Sequence, residues 1–144
     1  MKGDIGKSWE NPTPDKIRRL LQTAHTIAVV GLSSNPAKAS YGIARYLEEQ
    51  GYRIIPVNPN EPEILGEKSY SDLLLVPESI DIVNVFRRAD AALEITDKAI
   101  SIGAKAIWFQ ESIISEESFR KGEKAGLMVV MDRCIYKEHS RLLG

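Results

Sequence analysis

Five short apolar runs, most of them rich in valine and isoleucine and each separated from the next by polar or helix-patterned sequence, constrain this chain more than any other feature. They are Thr26–Val30, Arg53–Val57, Ile82–Phe86, Ala104–Phe109 and Leu127–Met131. Their apolar character is nearly continuous rather than alternating, which is the pattern of strands covered on both faces. Helical periodicity falls over Asp15–Thr23, Tyr41–Gln50, Ala89–Ile102, Ser115–Ala125 and Tyr136–Leu143, with a short stretch near Ser71–Leu75. Gly51, Gly103 and Gly126 stand where three of these helices must stop, just before the next strand, as left-handed C-caps do. Strands that alternate with helices form a parallel sheet with right-handed crossovers. The expected fold class is therefore α/β: a doubly wound three-layer sandwich around a five-stranded parallel sheet, in the order 3-2-1-4-5.

A chain of 144 residues that is 43% hydrophobic is the size of one ordinary domain and buries a core without disulfides or metal. Residues 1–144 are accordingly read as one domain, opening with an extended arm over residues 1–14. Nineteen basic and twenty acidic side chains nearly cancel, which leaves no electrostatic footprint for nucleic acid or an anionic membrane surface. A bound phosphate must then be held by local geometry. One cysteine, Cys134, forms no internal disulfide and fits a reducing compartment, with the cytoplasm as the default. No apolar run reaches the roughly 18–20 residues of a membrane-spanning helix, and the polar start from Met1 to Glu10 does not read as a signal peptide.

In open parallel sheets ligands sit beyond the carboxyl ends of the strands, where the strand order reverses. With the expected order this point lies between the first and fourth strands. The loop after the first strand reads Gly31-Leu32-Ser33-Ser34-Asn35-Pro36-Ala37-Lys38-Ala39-Ser40-Tyr41-Gly42 and runs directly into a helix. Gly31 lets the backbone turn and approach a ligand, Ser33, Ser34 and Ser40 supply hydroxyls, and the amides that open the helix favour an anion. Ser40 is placed as the N-cap. The dinucleotide pattern G-x-G-x-x-G is missing, because Ser33 stands at the second glycine. The acidic residue expected about twenty positions on is also missing, since the second strand ends in Val57-Asn58-Pro59. A nicotinamide or flavin dinucleotide is thereby disfavoured. Gly6-Lys7-Ser8 imitates the end of a P-loop without its upstream glycine or its strand.

Other strand exits face the same crevice. Asn58 and Pro59 leave the second strand, and Phe86, Arg87 and Arg88 leave the third, where an arginine could grip a phosphate and the phenylalanine lie against a purine. Trp108 and Gln110 close the fourth, with Gln110 favoured as the polar contact and Trp108 as the more core-like of the two. Cys134 and His139 invite a nucleophile reading. A step of five residues does not, however, put both on one face of a helix with about 3.6 residues per turn. Two histidines and one cysteine scattered along the chain do not make a metal site.

Taken together, several segments resemble a known family. They are Ala28-Val29-Val30-Gly31-Leu32-Ser33 with Pro36 and Ser40-Tyr41, Tyr52 to Pro59, Leu65-Gly66-Glu67-Lys68, Asp81 to Arg88, Gly103-Ala104-Lys105, Trp108-Phe109-Gln110, and Asp132-Arg133-Cys134 through Glu138-His139. The chain resembles the small stand-alone CoA-binding proteins, which are similar to the N-terminal CoA-binding domain of the succinyl-CoA synthetase alpha subunit. The likeness runs from about Ile17 to Leu143. It implies a Rossmann-like fold with coenzyme A as ligand, its pyrophosphate on the loop Gly31, Leu32, Ser33 and Ser34; Asn35, Ser40 and Tyr41 are further expected cofactor contacts. The adenosine portion lies toward Asn58-Pro59 and Phe86-Arg87. The synthetase carries its phosphorylated histidine in a further domain, so His139 does not inherit that role and acyl-CoA ligation by this chain alone is not expected. The leading reading is a module that sequesters, senses or presents CoA, as a homo-oligomer or to a protein partner. The rival is an enzyme in which Cys134 exchanges disulfides with the CoA thiol, or one that uses a nucleotide in the same crevice.

Overall fold

The computed structural model describes residues 9–144; the P-loop imitation at Gly6-Lys7-Ser8 and most of the expected arm lie outside the described residues. In chain order the elements are α1 (Pro14–Thr23), β1 (Thr26–Val30), α2 (Ala39–Glu49), β2 (Arg53–Val57), β3 (Glu63–Ile64), β4 (Glu67–Lys68), β5 (Ile82–Val85), α3 (Ala92–Ser101), β6 (Ala106–Phe109), α4 (Glu116–Lys124), β7 (Met128–Val130) and α5 (Ile135–Leu143). Single turns of 3₁₀ helix cover Leu73–Leu75 and Ala89–Ala91. The short helical stretch near Ser71–Leu75 is thus present as a single 3₁₀ turn, and the Ala89–Ile102 pattern divides into another such turn and α3.

The expected parallel, doubly wound sandwich is present, with five strands all parallel to their neighbours. One sheet face packs Ala28, Val30, Val83, Ile107 and Val129 against Ala92, Ile95 and Ala99 of α3 and Phe119 of α4. The other packs Ile27, Val29, Ile54, Ile82 and Trp108 against Leu20 and Leu21 of α1, Ala44 and Leu47 of α2, and Ile135 of α5. Burial on both faces is why the strands read as continuous apolar runs. Gly51, Gly103 and Gly126 take φ of 101°, 74° and 86°, the left-handed conformation expected of them just past α2, α3 and α4.

The strand order corrects the expected 3-2-1-4-5. The sheet runs β2-β1-β5-β6-β7, so the third strand of the sheet pairs with the first and leaves the second at the edge. Pro56 gives the physical reason. It has no N–H for a ladder, and its carbonyl faces outward to accept from the Tyr70 amide at 3.0 Å, so its nitrogen also faces the outer flank, where no ladder bond is needed. A central β2 would have lost a bond there. The β2–β5 connection carries the hairpin β3–β4, turned by Leu65 and Gly66 at φ 57° and 74°, and buries Leu73 and Ile80 on the α3 face. That hairpin was not anticipated from the sequence.

Residues 9–13 lie against the far edge of the sheet. Trp9 packs on Phe119 with ring centroids 6.2 Å apart. The Asn11 side chain both donates to the Met131 carbonyl and accepts from the Met131 amide, each at 2.8 Å, so that one amide group mimics a neighbouring strand.

Candidate functional site

With β5 beside β1, the strand order reverses between these two, and the crevice opens there rather than between the first and fourth strands. Gly31 leaves β1 at φ 87° with its amide bonded to the Val57 carbonyl at 3.0 Å. A Cβ at this position would fall 2.6 Å from the Phe86 carbonyl oxygen and 2.9 Å from Cδ of Arg87. The loops after β1 and β5 thus touch at a point where only glycine fits.

Beyond Gly31 the loop is held by its own side chains. Ser40 Oγ accepts from the Ser33 amide at 3.0 Å, Ser33 Oγ from the Asn35 amide at 3.0 Å, and Asn35 Oδ1 from the Ala37 amide at 2.9 Å. Asn58 crosses from β2 to donate to the Leu32 carbonyl at 2.9 Å, and its own Oδ1 accepts from the Asn60 amide at 2.8 Å. Ser40 is not the N-cap: that position is Lys38, whose side chain makes no capping bond, and Ser40 lies buried inside the first turn of α2. The Ala39 and Ser40 amides have no intrahelical acceptor and point out of the helix's positive end. They, with the exposed Ser34, are where this loop can take an anion.

Phe86 is half-buried and packs toward the α2 face, as does Tyr41. Arg87 and Arg88 are exposed, as are Asn35 and Pro59. Among the described residues Lys38, Arg87 and Arg88 form no ion pair, whereas Lys98, close by, is fully engaged with Asp72 at 2.9 Å and Glu94 at 3.3 Å. The Leu74 amide and Lys98 together hold the Asp72 carboxyl below its ordinary range. A cavity of about 160 Å³ lies at this sheet end, walled by Val30, Val57, Pro59, Ser71, Asp72 and Arg87 among others. A second, of about 520 Å³, adjoins it at Pro59 and Ser71 and extends past Asn58, Asn60 and Tyr70. A further cavity of about 440 Å³ lies at the amino end of β7, between residues 10–13 and Gly126–Met128, and contains none of the expected site residues.

Two expected contacts are not brought to the crevice. Trp108 is fully enclosed in the core, its indole N–H donating to the Arg133 carbonyl at 2.9 Å, so it presents no surface to a ligand. Gln110 is buried and occupied: its Nε2 donates to Asn84 Oδ1, and its Oε1 accepts from the Ile135 amide that opens α5, at 3.3 Å. Asn84 was missed from the sequence although an asparagine within Ile82-Val83-Asn84-Val85 is itself a signal. It is fully buried, and its Nδ2 has no protein partner among the described residues.

Cys134 is a buried free thiol at the N-cap of α5. His139 points elsewhere, sharing a 2.8 Å hydrogen bond through Nδ1 with Tyr46 Oη and meeting the Tyr52 ring edge-on at 5.7 Å. Burial pushes its pKa down. No group of three or more metal-ligating side chains occurs among the described residues, and none of their helices is long and apolar enough to cross a membrane.

Comparison with known proteins agrees with this geometry. The model of the CoA-binding domain family matches residues 25–140. The Bacillus subtilis protein YneT is 37% identical over 131 residues, covering 91% of this chain and 97% of its own. A solved structure of a Pyrococcus horikoshii protein superposes with a TM-score of 0.90 at 37% identity, over 96% of this chain and 99% of that one. The ADP-forming acetate–CoA ligase II of Archaeoglobus fulgidus is 30% identical over 100 residues, 68% of this chain but only 15% of the ligase. The fold, the glycine contact between the β1 and β5 loops and these likenesses agree: the chain belongs to the family of CoA-binding domains.

Proposed function

We propose that this protein binds coenzyme A or an acyl-CoA in the crevice between β1 and β5, without itself ligating the acyl group. The pyrophosphate lies on Gly31, Leu32, Ser33, Ser34 and Asn35 and the free amides of Ala39 and Ser40. The adenosine portion lies toward Asn58, Pro59, Phe86 and Arg87, with Arg88 at the rim. The observation that carries this reading is the contact of Gly31 with the Phe86 carbonyl, which lets a ligand approach both loops, beside cations that form no ion pair among the described residues. A chain of net charge −1 has no general attraction for polyanions, so unpaired Lys38, Arg87 and Arg88 at one sheet end supply a local one. A lone thiol suits a reducing compartment, the cytoplasm in this proposal, where the protein presents its ligand to a second copy or to another protein.

Calorimetric titration of the purified chain with CoA, dephospho-CoA and NAD tests this. Micromolar CoA binding is expected, about 8 kcal/mol at 1 μM, and Ser33→Asp, which sets a negative charge in the loop, abolishes it. No CoA heat from folded wild-type protein, with or without NAD binding, would overturn the proposal.

A further inference from the structure

We propose that the larger cavity beside the β3–β4 hairpin is a subsite for a phosphomonoester on the ligand's adenosine ribose, and that Lys68 reads that group. This rests on the CoA reading and adds to it a basis for telling a 3′-phosphorylated adenosine from an unphosphorylated one.

The cavity continues the adenosine path: it holds about 520 Å³, shares Pro59 and Ser71 with the smaller crevice walled by Arg87, and has Lys68 as its one cation. The state of Lys68 is unusual for its position. In the hairpin it sits directly across from Glu63, the arrangement in which opposite charges ordinarily pair. No such ion pair forms among the described residues. The Lys68 ammonium lies instead 5.2 Å from the centroid of the Tyr70 ring, and both residues line the cavity. Its neighbours show the contrast. Arg53 on β2 takes both Glu67 and Glu78, at 2.6 and 2.8 Å, whereas Lys68 has, among the described residues, only the ring as support.

An ammonium is a compact, hydrated point charge that suits a terminal phosphate, which carries close to two negative charges at neutral pH. Tyr70 props it, since the ring's own backbone is fixed against β2 by the Asn58 amide bond to the Tyr70 carbonyl at 2.8 Å. Glu61 also lines the cavity and opposes an anion there. The occupied site therefore depends on Lys68 outweighing Glu61, and the two side chains should act in opposite directions.

The test titrates CoA and dephospho-CoA into the full chain and its Lys68→Met and Glu61→Gln variants, with thermal unfolding to show that each is folded. Wild type is expected to prefer CoA about tenfold or more. Lys68→Met brings CoA down to the dephospho-CoA level and leaves dephospho-CoA unchanged, while Glu61→Gln raises the preference. Equal binding of the two ligands by wild type, or a Lys68→Met loss shared by both, overturns the subsite while leaving the CoA reading standing. Failure of both ligands to bind folded wild type overturns the two together, a separate result from either of these.

Discussion

The carbonyl oxygen of Phe86 occupies the space where any residue but glycine at position 31 would carry its Cβ, 2.6 Å away. The first and third strands of the sheet, 55 positions apart in register between Ile27 and Ile82, are locked together at their carboxyl ends by this absence of a side chain.

Gly31→Ala adds left-handed strain of about 1–2 kcal/mol and an overlap of about 1–3 kcal/mol. A loss of about 2–4 kcal/mol in urea unfolding is expected, with CoA binding lost even where the variant remains folded. Unchanged stability would show that the loops separate freely.

Asn84 and Gln110 form a buried amide pair that joins β5, the end of β6 and the start of α5. Replacing either one by alanine strands the other's polar atoms, at about 1–3 kcal/mol. The double replacement should cost clearly less than the sum of the singles, because it removes both partners. Additive losses in a double-mutant cycle would mean that the two are not coupled.

His139 is neutral in its buried site, with a pKa below its ordinary value of 6.5 because burial penalises the charged ring. The unfolded chain therefore takes up a proton more readily than the folded one as pH falls. Stability should be flat above about pH 7 and decline as pH drops through about 6.5 and below, and His139→Gln should remove this decline. A second decline, shared by both proteins, belongs below about pH 4. There Asp72, held down by the Leu74 amide and Lys98, and Glu78, held down by Arg53, are forced to protonate. Urea midpoints across pH 3–8 separate the two windows.

Asn11→Ala removes two hydrogen bonds to Met131 at the open edge of β7. A loss of about 1–3 kcal/mol is expected, with faster amide exchange at Met131. Exchange that stays protected would mean that the edge is shielded without Asn11.

Much of this molecule was legible in order along the chain. Strands such as Thr26–Val30 and Arg53–Val57, helices stopped at Gly51, Gly103 and Gly126, and the Gly31–Asn35 loop at the end of β1 are set by apolar periodicity and backbone preference within a few residues, which sequence displays directly. What only the tertiary structure decided is which distant segments meet. Pro56 carried a local sign that β2 is an edge strand, yet the order β2-β1-β5 is a choice among pairings, and it moved the crevice from the fourth strand to the third. The same holds for Trp108, fully enclosed in the core, for Gln110, held away from the crevice by one hydrogen bond to Asn84 and one from the Ile135 amide, and for Lys68, which leaves Glu63 for Tyr70. A side chain's partners depend on packing between elements far apart in sequence, and no local propensity encodes them.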